Sequence, residues 1–412
     1  MSRAFHASCA LLCAACPLTV GCGNGPAATD AASADASAND TNADSGSTIL
    51  PPGFWNPYPV PFTMSDSAPG TIQVSLSAEA LGELGYSYTS TPGPTDTVFE
   101  DGWAMSFTHY IVVVGSVTVS QQGSDPSMRA VVGPTVVHRA GPWIVDGHLH
   151  GSLAGAGGAP ETAVPLFVIN GPDAGGTFDT TMQYAWSFEN AHASASMINV
   201  NLPSADQSIV EQMITNQWTH YIEGTATYMG RAPTATVDPT FSAYPTSVHF
   251  VFGFAAPSAY INCHNPEIGD MDIPANWGLR PSATGAVRAQ LTFHTDHSFW
   301  DTALVEGTPL RFDAYAARVP DFGMVGSHML GMGDFMGVNP AALTDRTGMP
   351  VLDRADQTTG YMPDMGIPPV YALNGATGIS DLRDWFAFNT RTQGHLNSDG
   401  LCLVSPTGPL AY

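Results

Sequence analysis

Trp103-Ala104-Met105-Ser106-Phe107-Thr108-His109-Tyr110-Ile111-Val112-Val113 is the stretch that decides the fold class. Trp103, Met105, Phe107, His109, Ile111 and Val113 alternate with Ala104, Ser106, Thr108 and Tyr110, and a period of two belongs to a β-strand with one buried face. Working outward, Val248, Phe250, Phe252 and Phe254 form a second such face, and Val287, Ala289, Leu291 and Phe293 a third. Residues 71–76 and 221–228 also read as strands. Pro- and Gly-rich connections separate these runs, as in antiparallel sheets rather than βαβ units. Few helices interrupt them. Ser204-Ala205-Asp206-Gln207 reads as a capping box ahead of Ile209, Val210, Met213 and Ile214 at helical spacing. Ser380 caps a stripe of Leu382, Trp385 and Phe386 that ends at Gly394. Shorter helices are expected over 298–306 and 309–318. The expected class is therefore mainly β, with antiparallel β-sandwich-like lobes and a few peripheral helices.

One echo lies inside this pattern. Phe107-Thr108-His109-Tyr110-Ile111 recurs as Trp218-Thr219-His220-Tyr221-Ile222, and Thr135, Val137 and His138 match Thr246, Val248 and His249 at the same offset. The rest of the window barely matches. Chance likeness between strands explains it better than duplication.

Length and composition set the outer bounds. Residues 27–48 contain only Ala, Ser, Asp, Asn, Thr and Gly, which cannot bury a core, so 22–50 reads as a disordered tether. The folded part then spans 51–412. At roughly 360 residues it exceeds the size at which single cores stop growing, so two packed lobes are expected, 51–203 and 204–412, with a Met/Gly-rich loop at 320–370. No run after the N-terminus is apolar enough for a transmembrane helix. All 12 basic residues are arginine. Without lysine there is no Schiff-base or pyridoxal chemistry, no phosphate-loop lysine and no Ser-Lys dyad. With 36 acidic residues and a formal charge of -24, nucleic acid and anionic headgroups are poor partners. Cations are the natural counter-species, although surplus carboxylates also serve solubility alone.

The N-terminus speaks about location. Residues 1–21 carry one charge, Arg3, then the apolar run Ala10-Leu11-Leu12-Cys13-Ala14-Ala15-Cys16, and they read as an export signal peptide. Leu18-Thr19-Val20-Gly21-Cys22 resembles the lipobox of bacterial lipoproteins, with Thr19 standing where that family has Leu, Val or Ile. The resemblance implies lipidation of Cys22 and a membrane anchor in the cell envelope, at the outer membrane on its periplasmic or surface face. Of six cysteines, Cys9, Cys13 and Cys16 leave with the signal and Cys22 takes lipid. Cys263 and Cys402 remain in an oxidising compartment, and the simplest outcome is a disulfide between them. The competing reading is a free, catalytic Cys263 beside His264, which needs Cys402 to stay reduced.

Two clusters offer metal chemistry. In His294-Thr295-Asp296-His297 an extended chain puts His294 and Asp296 on one face and turns His297 away. A helical turn at Thr295 would instead let both imidazoles converge, with Asp296 as third ligand or as an acceptor behind them. His148-Leu149-His150, after Asp146, presents two rings to one side if extended. Satisfied core or exposed histidines are the plainer alternative for both, and His109 reads as a hydrogen-bonded core residue. The second cluster is methionine-rich: seven of the 16 methionines lie between Met324 and Met365, around His328, Met329, Met332 and Met336. Thioether with imidazole suits copper(I), whereas methionine as a gap-filler is the structural alternative.

Enzyme signatures are absent: there is no HExxH, no G-x-S-x-G elbow, no EF-hand loop and no dinucleotide fingerprint, and Gly155-Ala156-Gly157-Gly158 reads as a plain loop. Four stretches resemble a family of uncharacterised bacterial exported lipoproteins. They are Phe99-Glu100-Asp101-Gly102-Trp103, Tyr260-Ile261-Asn262-Cys263, His294-Thr295-Asp296-His297-Ser298-Phe299-Trp300, and Thr392-Gln393-Gly394-His395-Leu396-Asn397 leading to Cys402. The resemblance implies a lipoprotein of one continuous architecture, and no activity. The expected function is a lipid-anchored envelope protein binding a transition metal, copper ahead of zinc or iron, without catalysis. The alternatives are a module that binds a glycan, peptide or partner protein through its aromatic faces and loops, and, less favoured, a carboxylate-dependent hydrolase.

Overall fold

β2 (Trp103–Gln121) is a strand of 19 residues around which a computed structural model of the chain is organised. The structure describes residues 68–93, 96–125, 128–230, 246–269, 274–301, 309–320, 329–344 and 379–412. The signal peptide, Cys22, the tether, His328 and most of the Met/Gly-rich segment lie outside the described residues. Before β2 come β1 (Ile72–Ser77) and α1 (Glu79–Leu84). After it run β3 (Thr135–Arg139), β4 (Trp143–Asp146), β5 (Leu153–Ala154), β6 (Thr162–Ile169), β7 (Tyr184–Asn190) and β8 (Ile198–Asn199). Then follow α2 (Gln207–Asn216), β9 (His220–Tyr228), β10 (Ser247–Phe254), β11 (Ser258–Ile261), β12 (Val287–Phe293) and α3 (Asp313–Ala316). β13 (Met329–Gly331), α4 (Leu382–Thr390), β14 (Gly394–Leu396) and β15 (Leu403–Pro406) complete the order.

The fold is mainly β, in two sheets. The smaller has the order β14-β12-β1-β6-β5, and the larger runs β13-β10-β9-β2-β7-β11-β15 with β3, β4 and β8 branching from β2. Most pairs are antiparallel, as expected, but β1–β12, β10–β13 and β4–β8 run parallel. Both sheets draw strands from either side of residue 203, so the expected boundary between lobes cuts through both, and 50–412 is one unit. One core joins the sheets: Ile72, Val74 and Leu76 of β1, Leu291 and Phe293 of β12, and Val248, Phe250, Phe252 and Phe254 of β10 are fully buried in it. Each such side chain contributes roughly 1.5–3 kcal/mol by leaving water.

Alternation in β2 holds for two turns of the pleat and then reverses. Between Phe107 and His109 the register against β9 slips by one residue. A bulge of this kind moves every later side chain to the other face. Trp103, Met105 and Phe107 therefore share the large core with Tyr110, Val112 and Val114, while Ile111 and Val113 face a second core under α2 with Val210 and Met213. His109 is not the core residue expected. It sits at the bulge with its side chain 19 % exposed, Nδ1 2.9 Å from Asp146 Oδ2.

Other expectations are adjusted in detail. The capping box at Ser204 does not form; a 3-10 turn, Ser204–Asp206, precedes α2 and no side chain caps it. The residue capping α4 is Asp381, which accepts from the Arg383 and Asp384 amides, with Ser380 held against Asp384. Of the two shorter helices expected, α3 falls within 309–318, while most of 298–306 lies outside the described residues, its first two residues ending a 3-10 turn, Thr295–Phe299. The sequence echo is not a structural repeat, because His138 pairs with Thr118 but His249 with Thr225, which breaks the common offset. Cys263 and Cys402 form the expected disulfide where the β11–β15 ladder ends, Cα atoms 3.9 Å apart, so the free-thiol alternative falls.

Candidate metal centre

The parallel pairing of β1 with β12 brings two strand ends to one edge. Ser77 lies opposite Thr292, so the chain leaving β1 at Glu79 and the chain leaving β12 at His294 emerge side by side. Ligand sites collect at such carboxyl ends because the loops that follow converge there. β14 then pairs antiparallel on the far side of β12 and sets His395 opposite Thr292. Gly394 makes this approach feasible: a Cβ there would stand 2.4 Å from the Tyr260 ring. Past His294 the chain turns into the 3-10 segment that swings His297 back, the second of the two conformations considered from sequence.

The result is a cluster of three imidazoles. Ligand atoms of His294, His297 and His395 all lie within 4.8 Å of one another, and the residues are 8 %, 0 % and 1 % exposed. The His294 and His395 rings stack at 3.9 Å, and His297 stands across both at 5.3 Å. His297 is oriented from behind. Thr392 Oγ1 donates to the Asn389 carbonyl (2.7 Å), so it accepts from His297 Nδ1–H (2.7 Å). In a neutral ring that leaves Nε2 as the lone-pair nitrogen, the arrangement by which outer hydrogen bonds fix a ligand's tautomer. Trp300 stacks on the same ring at 3.7 Å.

Carboxylates crowd one side of the cluster. Glu79, His294 and Asp296 make a second group of ligand atoms within 4.8 Å, with Glu79 Oε1 3.4 Å from His294 Nε2. Asp296 Oδ2 accepts from Trp300 Nε1 (3.2 Å), while its Oδ1 is shielded from water and takes no hydrogen bond. Shelter from water pushes the Glu79 carboxyl up to about 7; His294 opposes that rise, and Asp296, Glu161 and Asp399 add to it. Glu79 (φ 59°), Asn397 (φ 50°) and Ser398 (φ 72°) all hold left-handed backbone without being glycine. Strain gathered at one place is a mark of a site held for function.

The other residues read from sequence go elsewhere. His148 Nδ1 donates to the Gly82 carbonyl (3.0 Å) and His150 Nδ1 lies 2.5 Å from Glu83 Oε2, so both are engaged separately by α1 and do not join the triad. Met329 lies at the edge of the larger sheet, in register with His249 and half exposed, on the sheet opposite to the one that carries the histidines. Gly155–Gly158 is a loop with no helix after it, as expected, anchored where Gly157 N donates to Glu161 and Ala156 N to Gln290 of β12. Sequence reasoning singled out neither His395 nor Glu79 as a ligand. His395 stood in a quoted stretch, Gly394-His395-Leu396, but one histidine in a three-residue strand carries no spacing signal, and Glu79 carries none at all. Comparison with protein-family models, curated proteins and solved structures finds no match for this chain.

Proposed function

We propose that this chain is a lipid-tethered envelope protein that holds one transition-metal ion on His294, His297 and His395. The observation that carries the reading is the convergence of three buried imidazoles within 4.8 Å. An ion with bonds of about 2.0–2.1 Å draws its nitrogens to roughly 3–3.5 Å, which requires the stacked His294 and His395 rings to turn out of their face-to-face arrangement. Three imidazoles suit copper, zinc or iron, and on a fixed nitrogen and oxygen donor set copper(II) binds ahead of zinc. Copper therefore stays first, on different grounds from the methionine loop. Binding through the aromatic faces has less to recommend it, since the faces of β2 and β10 are inside the core.

The test is metal analysis of the full chain, exchanged into metal-free buffer and titrated with copper(II) and with zinc(II). One ion per chain is expected, and His395→Asn should abolish it. A wild-type chain that takes up no stoichiometric ion would remove the reading. The tether is tested separately: Cys22→Ala should move the protein from the membrane to the soluble fraction, and unchanged fractionation with an unmodified N-terminus would count against lipidation.

A further inference from the structure

We infer that a second, oxygen-rich cation position adjoins the histidine triad, formed by Glu79, Asp296 and the Ser398 carbonyl, and that His294 passes a divalent ion between the two. The inference rests on the triad reading and concerns how the ion enters and leaves. Three oxygens gather at the Nε2 edge of His294. Ser398 O (3.1 Å) accepts from Nε2–H, Glu79 Oε1 stands 3.4 Å from the same nitrogen, and an Asp296 oxygen lies within 4.8 Å of both side chains. Asp296 Oδ1, shielded and taking no hydrogen bond, is an acceptor that a cation would satisfy. Glu79 and Ser398, which supply two of these oxygens, both hold positive φ angles.

The chemistry of the donors separates the two positions. One nitrogen with three oxygens binds a hard or borderline divalent ion loosely, whereas three imidazoles bind a transition ion tightly. In the neutral ring Nε2–H leaves the lone pair on Nδ1, and an ion at the oxygen position takes Nε2 only when that proton moves to Nδ1, so His294 serves one position at a time. An ion caught by the carboxylates is thus carried to His297 and His395 by a change of tautomer at a single ring. Glu161 and Asp399 add negative charge near Glu79, which favours a cation there. The side chain of His294 is 10 % exposed and that of Glu79 19 %, and His297 and His395 are buried. That difference gives the carboxylates the outer station.

Stopped-flow loading of the full-length chain with copper(II) tests this, read by quenching of tryptophan fluorescence, since Trp300 stacks on His297. Glu79→Gln, Asp296→Asn and the double variant should load about tenfold or more slowly than wild type, and release to a chelator should slow in parallel. Loading of wild type should also fall with salt more steeply than loading of the double variant. Far-UV circular dichroism identifies any variant that fails to fold, and the isosteric Glu79→Gln change, at a partly exposed residue, then carries the test alone. Wild-type rates in the variants would overturn the inference while leaving the triad intact. So would a double variant that binds no ion, because the carboxylates would then hold the resting ion. A wild-type chain without stoichiometric ion would remove both readings.

Discussion

His148-Leu149-His150 and His294-Thr295-Asp296-His297 look equally promising as sequence, and the fold treats them in opposite ways. The first follows β4 in a turn covered by α1, where a backbone carbonyl takes one ring and the Glu83 carboxylate the other. The second leaves the carboxyl end of β12 between two neighbouring strands, and β14 supplies the third ring. Two histidines close in sequence become a site only when a third donor arrives from elsewhere in the chain. What decides is the neighbour, not the spacing.

The strongest way to break this contrast is to loosen the neighbour. Cys263→Ser with Cys402→Ser removes the bond beside β14 and β15 and should cost about 2–5 kcal/mol. It should also weaken copper(II) binding in titration calorimetry, because His395 is no longer held beside β12. Equal affinity in the bonded and unbonded chains would show that β14 holds its place without the bridge. Next in size is the ion itself. At a hundredfold excess over its dissociation constant it should stabilise the wild type by about 2.7 kcal/mol, measured as a rise in Tm. His294→Ala with His297→Ala should erase that rise, and His148→Ala with His150→Ala should keep it. The latter pair is expected to lose about 1 kcal/mol of intrinsic stability, since Glu83 is buried but His150 is largely exposed and Thr162 still donates to the carboxylate.

The smallest effect concerns His109, a histidine belonging to neither motif. Burial lowers its pKa, but the hydrogen bond and charge of Asp146, followed by Asp206 and Glu223, more than offset that, and the net shift is upward from 6.5. A raised pKa in the folded state means stability that is complete below the unfolded value and is lost as pH rises through the folded one. Tm measured across that range should therefore fall with rising pH in wild type and be flatter in His109→Gln. Parallel curves would assign the slope to other groups.

Much of the fold was legible because apolar alternation reports directly on burial. β1, β9, β10 and β12 lie within a residue or two of where their patterns put them, β2 starts where expected but runs on to Gln121, and the cysteine count led straight to the disulfide. The bulge at His109 escaped because Ile111, Val112 and Val113 are apolar on both faces, and a strand buried on both sides hides its own register. The lobes were inferred from length alone, which cannot register strands crossing between halves. The histidine cluster was half legible: His294 and His297 announced themselves by spacing, whereas His395 and Glu79 join them through strand pairing over long sequence separations.

That long-range pairing has a consequence for the order of events during synthesis. β1, near the start of the described chain, finds its partner β12 only after most of the polypeptide exists, and β12 meets β14 later still. Contacts of such high order form late. A nascent chain thus carries His294 and His297 before His395, and two rings alone hold an ion weakly against dilution. On the proposed function, an ion would be captured only once the chain is complete, and the place of folding would then determine which pool of ions the protein samples.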